Sequence, residues 1–302
     1  MINILIFLLL WPPRSLVNIS HYWSKYSDQT HNPTLNQKTL SVLSWNLQRM
    51  GELARHKKRS VQKERAQCIV NTIKQLEHIQ GHPIEIFAFQ ETSNQGLKKL
   101  ERLLSLSCQF VSYHPTHHKN TGGLGICARS KSKWKLNYVR KISLRGTGRW
   151  RALFAEVIKR KSPQSIFNLI NVHFLPHKID PQDITSVLIS PLTALELFQD
   201  IQETSKIQQA QARGLLDLIK DYQDPTLLMG DFNAPPRAGA HTLLKVAWTD
   251  VWKKVGITSG ATRYFGDLIP LRVDYIYALA GTFLPLRSRV GHLTHHHCSD
   301  HL

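Results

Sequence analysis

Between Thr226 and Asn233 the chain reads Thr-Leu-Leu-Met-Gly-Asp-Phe-Asn. Four β-favouring or apolar residues in a row predict a buried strand, and Gly230 directly after them predicts a turn or a close backbone approach. Asp231 and Asn233, two apart, then project to the same side just past the strand end. Open layered α/β folds place their ligands at strand ends. A carboxylate beside a carboxamide suits a hydrated hard cation or a phosphate. The same pair also suits an Asx turn that merely closes a strand, and this stretch alone does not separate the two.

The pattern recurs along the chain. Leu40–Trp45 alternates as a strand, with Leu40, Val42 and Ser44 on one face and Leu43 and Trp45 on the other, and it ends in Asn46. Ile84–Phe89 runs into Gln90-Glu91, and Ser165–Val172 runs into His173. Further strands are expected at Gln109–Tyr113, Gly123–Ala128 and Trp150–Ile158. Val273–Tyr277 carries Asp274 inside an aromatic and β-branched run, where a carboxylate is costly unless paired, so a partner such as a histidine is required. Helical spacing at Ile69, Val70, Ile73, Leu76 and Ile79 stops at Gly81. A second helix is expected over Gln95–Leu106, with Leu97, Leu100, Leu103 and Leu104 on one face. A third is expected over Pro191–Lys220, with a weak break at Thr204-Ser205. Strands alternating with helices give an α/β class.

Composition narrows the partners. Thirty-nine Lys and Arg against 21 acids leave +18 in 302 residues, which favours anionic partners: nucleic acid, phospholipid head groups or phosphorylated metabolites. Two basic tracts stand out, 49–65 and 129–161, the second containing Arg149 and Arg151. They read equally as an anion-binding surface or as lysine-rich protection of a sheet edge. Cys68, Cys108, Cys127 and Cys298 form no CxxC pair, which argues against a zinc ribbon, and they are expected as buried thiols. His295-His296-His297 cannot all face one metal from a strand, because successive side chains point apart. Ile2–Trp11 is almost continuously apolar and stops at Pro12-Pro13-Arg14. It is short for a bilayer span and resembles a signal-peptide core. Export or membrane association through residues 2–11 therefore stands level with a cytoplasmic location. Residues 15–38 read as a linker, so the expected division is an N-terminal segment and linker, 1–39, and a domain, 40–302.

Asn46, Glu91, His173, Asp231, Asn233, Asp274, Asp300 and His301 make a set of acids, amides and histidines suited to hard-cation chemistry on phosphate. In the order Ser44-Trp45-Asn46, Phe89-Gln90-Glu91, Asn171-Val172-His173, Gly230-Asp231-Phe232-Asn233, Arg272-Val273-Asp274-Tyr275-Ile276 and Ser299-Asp300-His301, the chain resembles the endonuclease/exonuclease/phosphatase superfamily, the DNase I-like fold. The resemblance implies a four-layer α/β/β/α sandwich, two facing mixed sheets flanked by helices. It implies a hydrolase of phosphodiester or phosphomonoester bonds that uses Mg2+ (or Mn2+). Glu91 would be the main metal ligand, with Asn46 beside it and Asp300 in support. Asp231 would position or deprotonate the attacking water, and Asn233 would hold a phosphate oxygen. His173 and His301 would contact the scissile phosphate, and Asp274 would orient a histidine. On charge alone, and not from the resemblance, Arg149 and Arg151 are expected to add phosphate or polyanion contacts. The expected substrate is nucleic acid or another phosphate ester. A sphingomyelinase or phospholipase C-type activity, a phosphoinositide phosphatase and a non-catalytic DNase I-like binding module are the alternatives. Asn-x-His at 171–173 is closer to the DNase I, sphingomyelinase and phosphatase branches than to the abasic-site endonucleases, which carry a tyrosine in place of the histidine. The Gly122–Gly125 strand entry lacks the acid that orients the first histidine in DNase I-like members, so the resemblance supplies no partner for His173.

Overall fold

Period-two runs place alternate side chains on opposite faces of a sheet, and a run that is apolar on both faces must be covered on both. The computed structural model describes residues 39–50, 59–113, 122–144, 151–177, 191–222, 224–256, 260–265, 269–290, 298–299 and 301. Strands β1 (Val42–Met50), β2 (Ile86–Thr92), β3 (Leu106–Ser112) and β4 (Gly123–Arg129) form a four-stranded sheet in the order β1-β2-β4-β3. Strands β5 (Trp134–Ser143), β6 (Arg151–Lys159), β7 (Ser162–His173), β8 (Thr226–Asp231), β9 (Trp248–Asp250) and β12 (Asp274–Leu279) form a six-stranded sheet in the order β5-β6-β7-β8-β12-β9. A short ribbon, β10 (Arg263–Phe265) with β11 (Ile269–Leu271), is separate. The helices are α1 (Arg59–Gln80), α2 (Asn94–Leu104), α3 (Pro191–Ile219), α4 (Gly239–Leu244) and α5 (Val251–Val255).

The alternation sorts side chains into layers. Ile86 and Ala88 of β2 meet Leu227 and Met229 of β8, Leu169 of β7 and Ala278 of β12 between the two sheets. Phe87 and Phe89, the other face of β2, pack with Ile69, Val70 and Ile73 of α1 and Leu97, Leu100 and Leu104 of α2. Leu228, Ile170, Val172, Tyr275 and Tyr277 form the outer face of the second sheet under Leu215, Leu216 and Ile219 of α3 and Leu243 and Leu244 of α4. The result is the four-layer α/β/β/α sandwich. Leu40 and Val42 lie against the inter-sheet core and Leu43 against the α1 side, the division that their alternation implies.

Several local readings change. The four cysteines are not thiols: Cys68 is bonded to Cys298, and Cys108 to Cys127. The second pair sits directly opposite across β3 and β4, and the first ties α1 to the C-terminal segment. Leu103 is exposed, while its neighbours Leu100 and Leu104 are buried. Helix α3 runs through 204–205 without a break, and Thr204 is buried on its packed face. Strand β5 has no counterpart in the sequence reading. A register shift between Leu136 and Tyr138 resets its alternation, so Trp134, Leu136 and Val139 reach the core although they do not keep one period. This strand is a sheet edge and carries Lys135, Arg140 and Lys141, as edge protection requires.

The expected export or membrane association through residues 2–11 is corrected. Among the described residues no helix is long and apolar enough to cross a membrane. Residues 2–11 lie outside the described residues, and ten residues of helix would rise about 15 Å, roughly half of a bilayer's hydrocarbon core.

At Gly230 two strands approach each other closely. The φ of this glycine is +148°, and a Cβ there would collide with the backbone carbonyl of Val172 on β7. Only a glycine lets β7 and β8 close up beside the polar rim. Gly230→Ala should therefore destabilise the protein by ~2–4 kcal/mol, read from the urea unfolding midpoint. An unchanged midpoint would show that the two strands can separate at no cost.

Candidate active site

Strand register sets the site. The parallel β7–β8 pairing puts His173 opposite Asp231, and the antiparallel β8–β12 pairing puts Asp231 opposite Asp274. Residues of one pleat face point the same way, so three polar side chains stand in a row at one rim of the six-stranded sheet. On the other sheet Asn46 pairs with Gln90, and Glu91 follows. The two rims are joined by the Asn46 amide, whose Nδ2 donates to Glu91 Oε1 at 3.1 Å and to Asp231 Oδ2 at 2.9 Å. Directly beneath, Gln90 Nε2 donates to Asn171 Oδ1 at 2.7 Å, and Asn171 Nδ2 donates to the carbonyls of Phe89 and Gly125. This buried polar bridge fixes the separation of the sheets under the rim.

The backbone is bent where the polar residues leave the strands. Glu91 and Asn233 have φ of +49° and +47°, and Gln48 has +45°, all in the left-handed region that non-glycine residues seldom adopt. Such conformations persist where surrounding structure over-determines them, and they cluster at functional sites. Asp231 Oδ1 accepts from the Asn233 N–H at 2.7 Å, and Asn46 Oδ1 accepts from the Gln48 N–H at 2.8 Å. The Asx turn is thus present, and it is the device that aims these side chains. Asn233 Nδ2 donates to the Phe174 carbonyl at 3.1 Å.

His301 arrives from the chain end. Its Nδ1 lies 2.7 Å from Asp274 Oδ2, so the buried acid has its histidine partner, and its Nε2 lies 3.7 Å from Asp231 Oδ2. The segment is pinned by Trp45 Nε1 donating to the His301 carbonyl, by Ser299 Oγ donating to the Asn46 carbonyl, and by Arg65 Nε donating to the Cys298 carbonyl. His173 Nε2 lies 3.6 Å from Asp231 Oδ2 and 3.8 Å from Glu91 Oε1. Glu91 is 25 % exposed while Asp231 and both histidines are buried, so solvent reaches the site on the Glu91 side.

The rim concentrates negative charge. Burial raises the Asp231 carboxyl above its ordinary range and the Asp274 charge adds to this, while His301, His173 and the Asn46 hydrogen bond act in the opposite direction. Two groups of side chains could each hold an ion: Glu91, His173 and Asp231, and Asp231, Asp274 and His301. In the first, the Glu91 and Asp231 carboxylates converge and suit a hard divalent cation. In the second, Nδ1 of His301 is already turned to Asp274.

The structure brings together Asn46, Glu91, His173, Asp231, Asn233, Asp274 and His301. Asp300, Arg149 and the histidines 295–297 lie outside the described residues. Arg151 opens β6, where the Leu153–Asn171 register sets its backbone level with His173. Two features escaped the sequence reading. One is the Gln90–Asn171 bridge, whose members sit in the quoted motifs without an assigned task. The other is Tyr113, whose hydroxyl lies 2.6 Å from Nδ1 of His173; a strand-end tyrosine carries no local signal that its partner is 60 residues away. The basic tracts are partly structural. Arg65 binds the carbonyls of Cys298 and Leu47, Arg129 pairs with Glu77, and Arg160 binds the Ser132 carbonyl.

Residues 43–301 match the model of a family described as the Endonuclease/Exonuclease/phosphatase family. No curated protein sequence matches the chain. Among solved structures, the endonuclease/exonuclease/phosphatase from Bacteroides vulgatus has a TM-score of 0.64 at 16% identity, covering 87% of this chain and 96% of that one. The Bacteroides thetaiotaomicron mannosyl-6-phosphatase gives 0.56 at 16% identity, covering 80% of this chain and 86% of its own. D. rerio TDP2 complexed with a single-strand DNA product gives 0.55 at 18% identity, covering 80% and 83%. At these identities the likeness is one of fold.

Asp231 also makes stability depend on pH. Its folded carboxyl holds a proton above the pH of about 4 at which an unfolded Asp releases it. In that window the folded state binds more protons, so stability falls as pH rises. Asp231→Asn removes this term. Its unfolding free energy relative to the wild type, measured in chelator from pH 4.5 to 8, should move in the variant's favour as pH rises. A pH-independent difference would mean that burial does not perturb Asp231.

Proposed function

Because this chain belongs to the endonuclease/exonuclease/phosphatase family, a superfamily of metal-dependent phosphoesterases, we propose that it hydrolyses phosphodiester or phosphomonoester bonds with a bound Mg2+ or Mn2+. One observation carries the reading: Glu91 and Asp231, from different sheets, converge with two histidines at a single rim. Glu91 is the main ligand in this proposal, with Asn46 beside it and Asp300 in support. A divalent cation held there would neutralise the rim and polarise a phosphate oxygen.

The chain's own groups supply the rest. Asp231 Oδ2 orients the attacking water and accepts its proton. The Asn233 amide and Nε2 of His173 donate to phosphate oxygens, where charge grows as the ester bond breaks. His301 donates Nδ1–H to Asp274, which fixes the ring and turns Nε2 toward the reacting phosphate for proton transfer or hydrogen bonding. Arg149 and Arg151, from the basic tract 129–161, add contacts to an anionic substrate in this proposal. Nucleic acid fits the +18 charge. The fold relatives named above include a protein solved with DNA and a sugar phosphatase, so a panel of DNA, RNA, phosphoinositide and sugar phosphate separates the substrate classes.

The test uses bis(p-nitrophenyl) phosphate. Hydrolysis should vanish in EDTA and return with Mg2+ or Mn2+. His301→Ala should lower kcat by roughly 10²–10⁴-fold. Asp274→Asn should lower it as well, and the double variant should be little worse than the worse single one, because the two act as a unit. Turnover that survives exhaustive chelation, or fully additive losses, would contradict the proposal.

A further inference from the structure

His173 has a partner that the acids of the site do not provide. Tyr113 stands just past the end of β3, where its backbone N–H donates to the Gly122 carbonyl. Its side chain is buried, with the ring centroid 5.4 Å from that of His173. Its hydroxyl meets two groups of the rim: the Glu91 backbone N–H donates to it at 3.2 Å, and it lies 2.6 Å from Nδ1 of His173. A hydroxyl has one proton to give and can accept more than one. With the Glu91 N–H on its oxygen, the hydroxyl keeps its one proton, which can be given to the ring nitrogen.

We propose that Tyr113 is a positioning residue for the reaction: its hydroxyl donates to Nδ1 of His173, so that the ring proton resides on Nε2 and points into the site. This rests on the phosphoesterase reading and adds a member to it. Which nitrogen of a histidine carries the proton is set by the hydrogen bond that the other one makes. Nε2–H then faces Asp231 Oδ2 at 3.6 Å and Glu91 Oε1 at 3.8 Å, the side from which a phosphate oxygen would be bound. His301 is set the opposite way, with Nδ1–H given to Asp274 Oδ2. The two histidines therefore divide the work. His173 presents a fixed donor, and His301 presents the nitrogen that can exchange a proton. Tyr113 also pins the peptide of Glu91, whose φ of +49° needs such support. One hydroxyl thus registers the donor against the proposed metal ligand.

The experiment is made on the full chain with Mg2+ and bis(p-nitrophenyl) phosphate, alongside the ring 15N spectrum of His173, assigned by its loss in His173→Gln. In the wild type the spectrum should show a proton on Nε2 and an acceptor Nδ1. Tyr113→Phe keeps the ring and removes only the hydroxyl. It should lower kcat about tenfold, the scale of one lost hydrogen bond, with KM changed less than twofold, and should turn the His173 spectrum into a mixture of tautomers. A wild-type spectrum with the proton on Nδ1 overturns the proposal whether or not the variant folds. Unchanged kcat with an unchanged spectrum in Tyr113→Phe overturns it equally. If the wild type fails to hydrolyse the probe, the phosphoesterase reading is what fails, and the spectrum still decides the hydrogen bond.

Discussion

The structure turns on one fully buried carboxylate. Asp231 is the last residue of β8 and lies in register between His173 and Asp274. Through Asn46 it is bonded to the opposite sheet, and through its own Oδ1 it folds the chain back toward Asn233. A carboxylate taken out of water costs several kcal/mol unless it is paired and hydrogen-bonded. Here the offsetting groups are an amide, a peptide N–H and two imidazoles, all held by other parts of the fold. The requirement reaches far along the chain: the Gly230 approach to Val172, the left-handed Glu91 and Asn233, and the docked C-terminal segment all serve to place groups around this one charge.

Much of this was legible in the sequence, for a physical reason. A strand that is apolar on both faces and then abruptly polar can only be a buried strand emerging at a rim, so Asn46, Glu91, His173 and Asp231 announce themselves. Asp274 signals its need for a partner, such as a histidine, because an acid in an apolar strand is costly unless paired. What stayed hidden depends on three-dimensional neighbours. The bulge at Leu136–Tyr138 broke the alternation that would have shown β5. The two disulfides join residues 230 and 19 positions apart, with no spacing motif to signal either. Tyr113 carries no local signal of its task, because the hydroxyl that reaches His173 stands just past the end of β3, the strand paired with β4.

The basic excess has two origins. Arg65, Arg129 and Arg160 close carbonyl-rich seams between elements, and Arg272 pairs with Asp250 while stacked against Tyr275 and Trp252. These guanidiniums do structural work that a single ammonium could not, since a planar fork bonds several carbonyls at once. Net charge alone therefore overstates how much of the surface is available to a polyanion. The C-terminal segment illustrates the coupling of scaffold and site: the Cys68–Cys298 bridge and Arg65 fasten to α1 the few residues that carry His301.

The rim where Glu91 and Asp231 converge is suited to hold a divalent cation, and the proposed function places one there. Diffraction from crystals grown with Mn2+, using the anomalous signal of manganese, tests this most directly. The expected result is a manganese site bonded to the Glu91 carboxylate at the rim that Asn46 and Asp231 share, with His301 still bonded to Asp274. Manganese absent from that rim, or bound between Asp274 and His301 with their hydrogen bond broken, would contradict it.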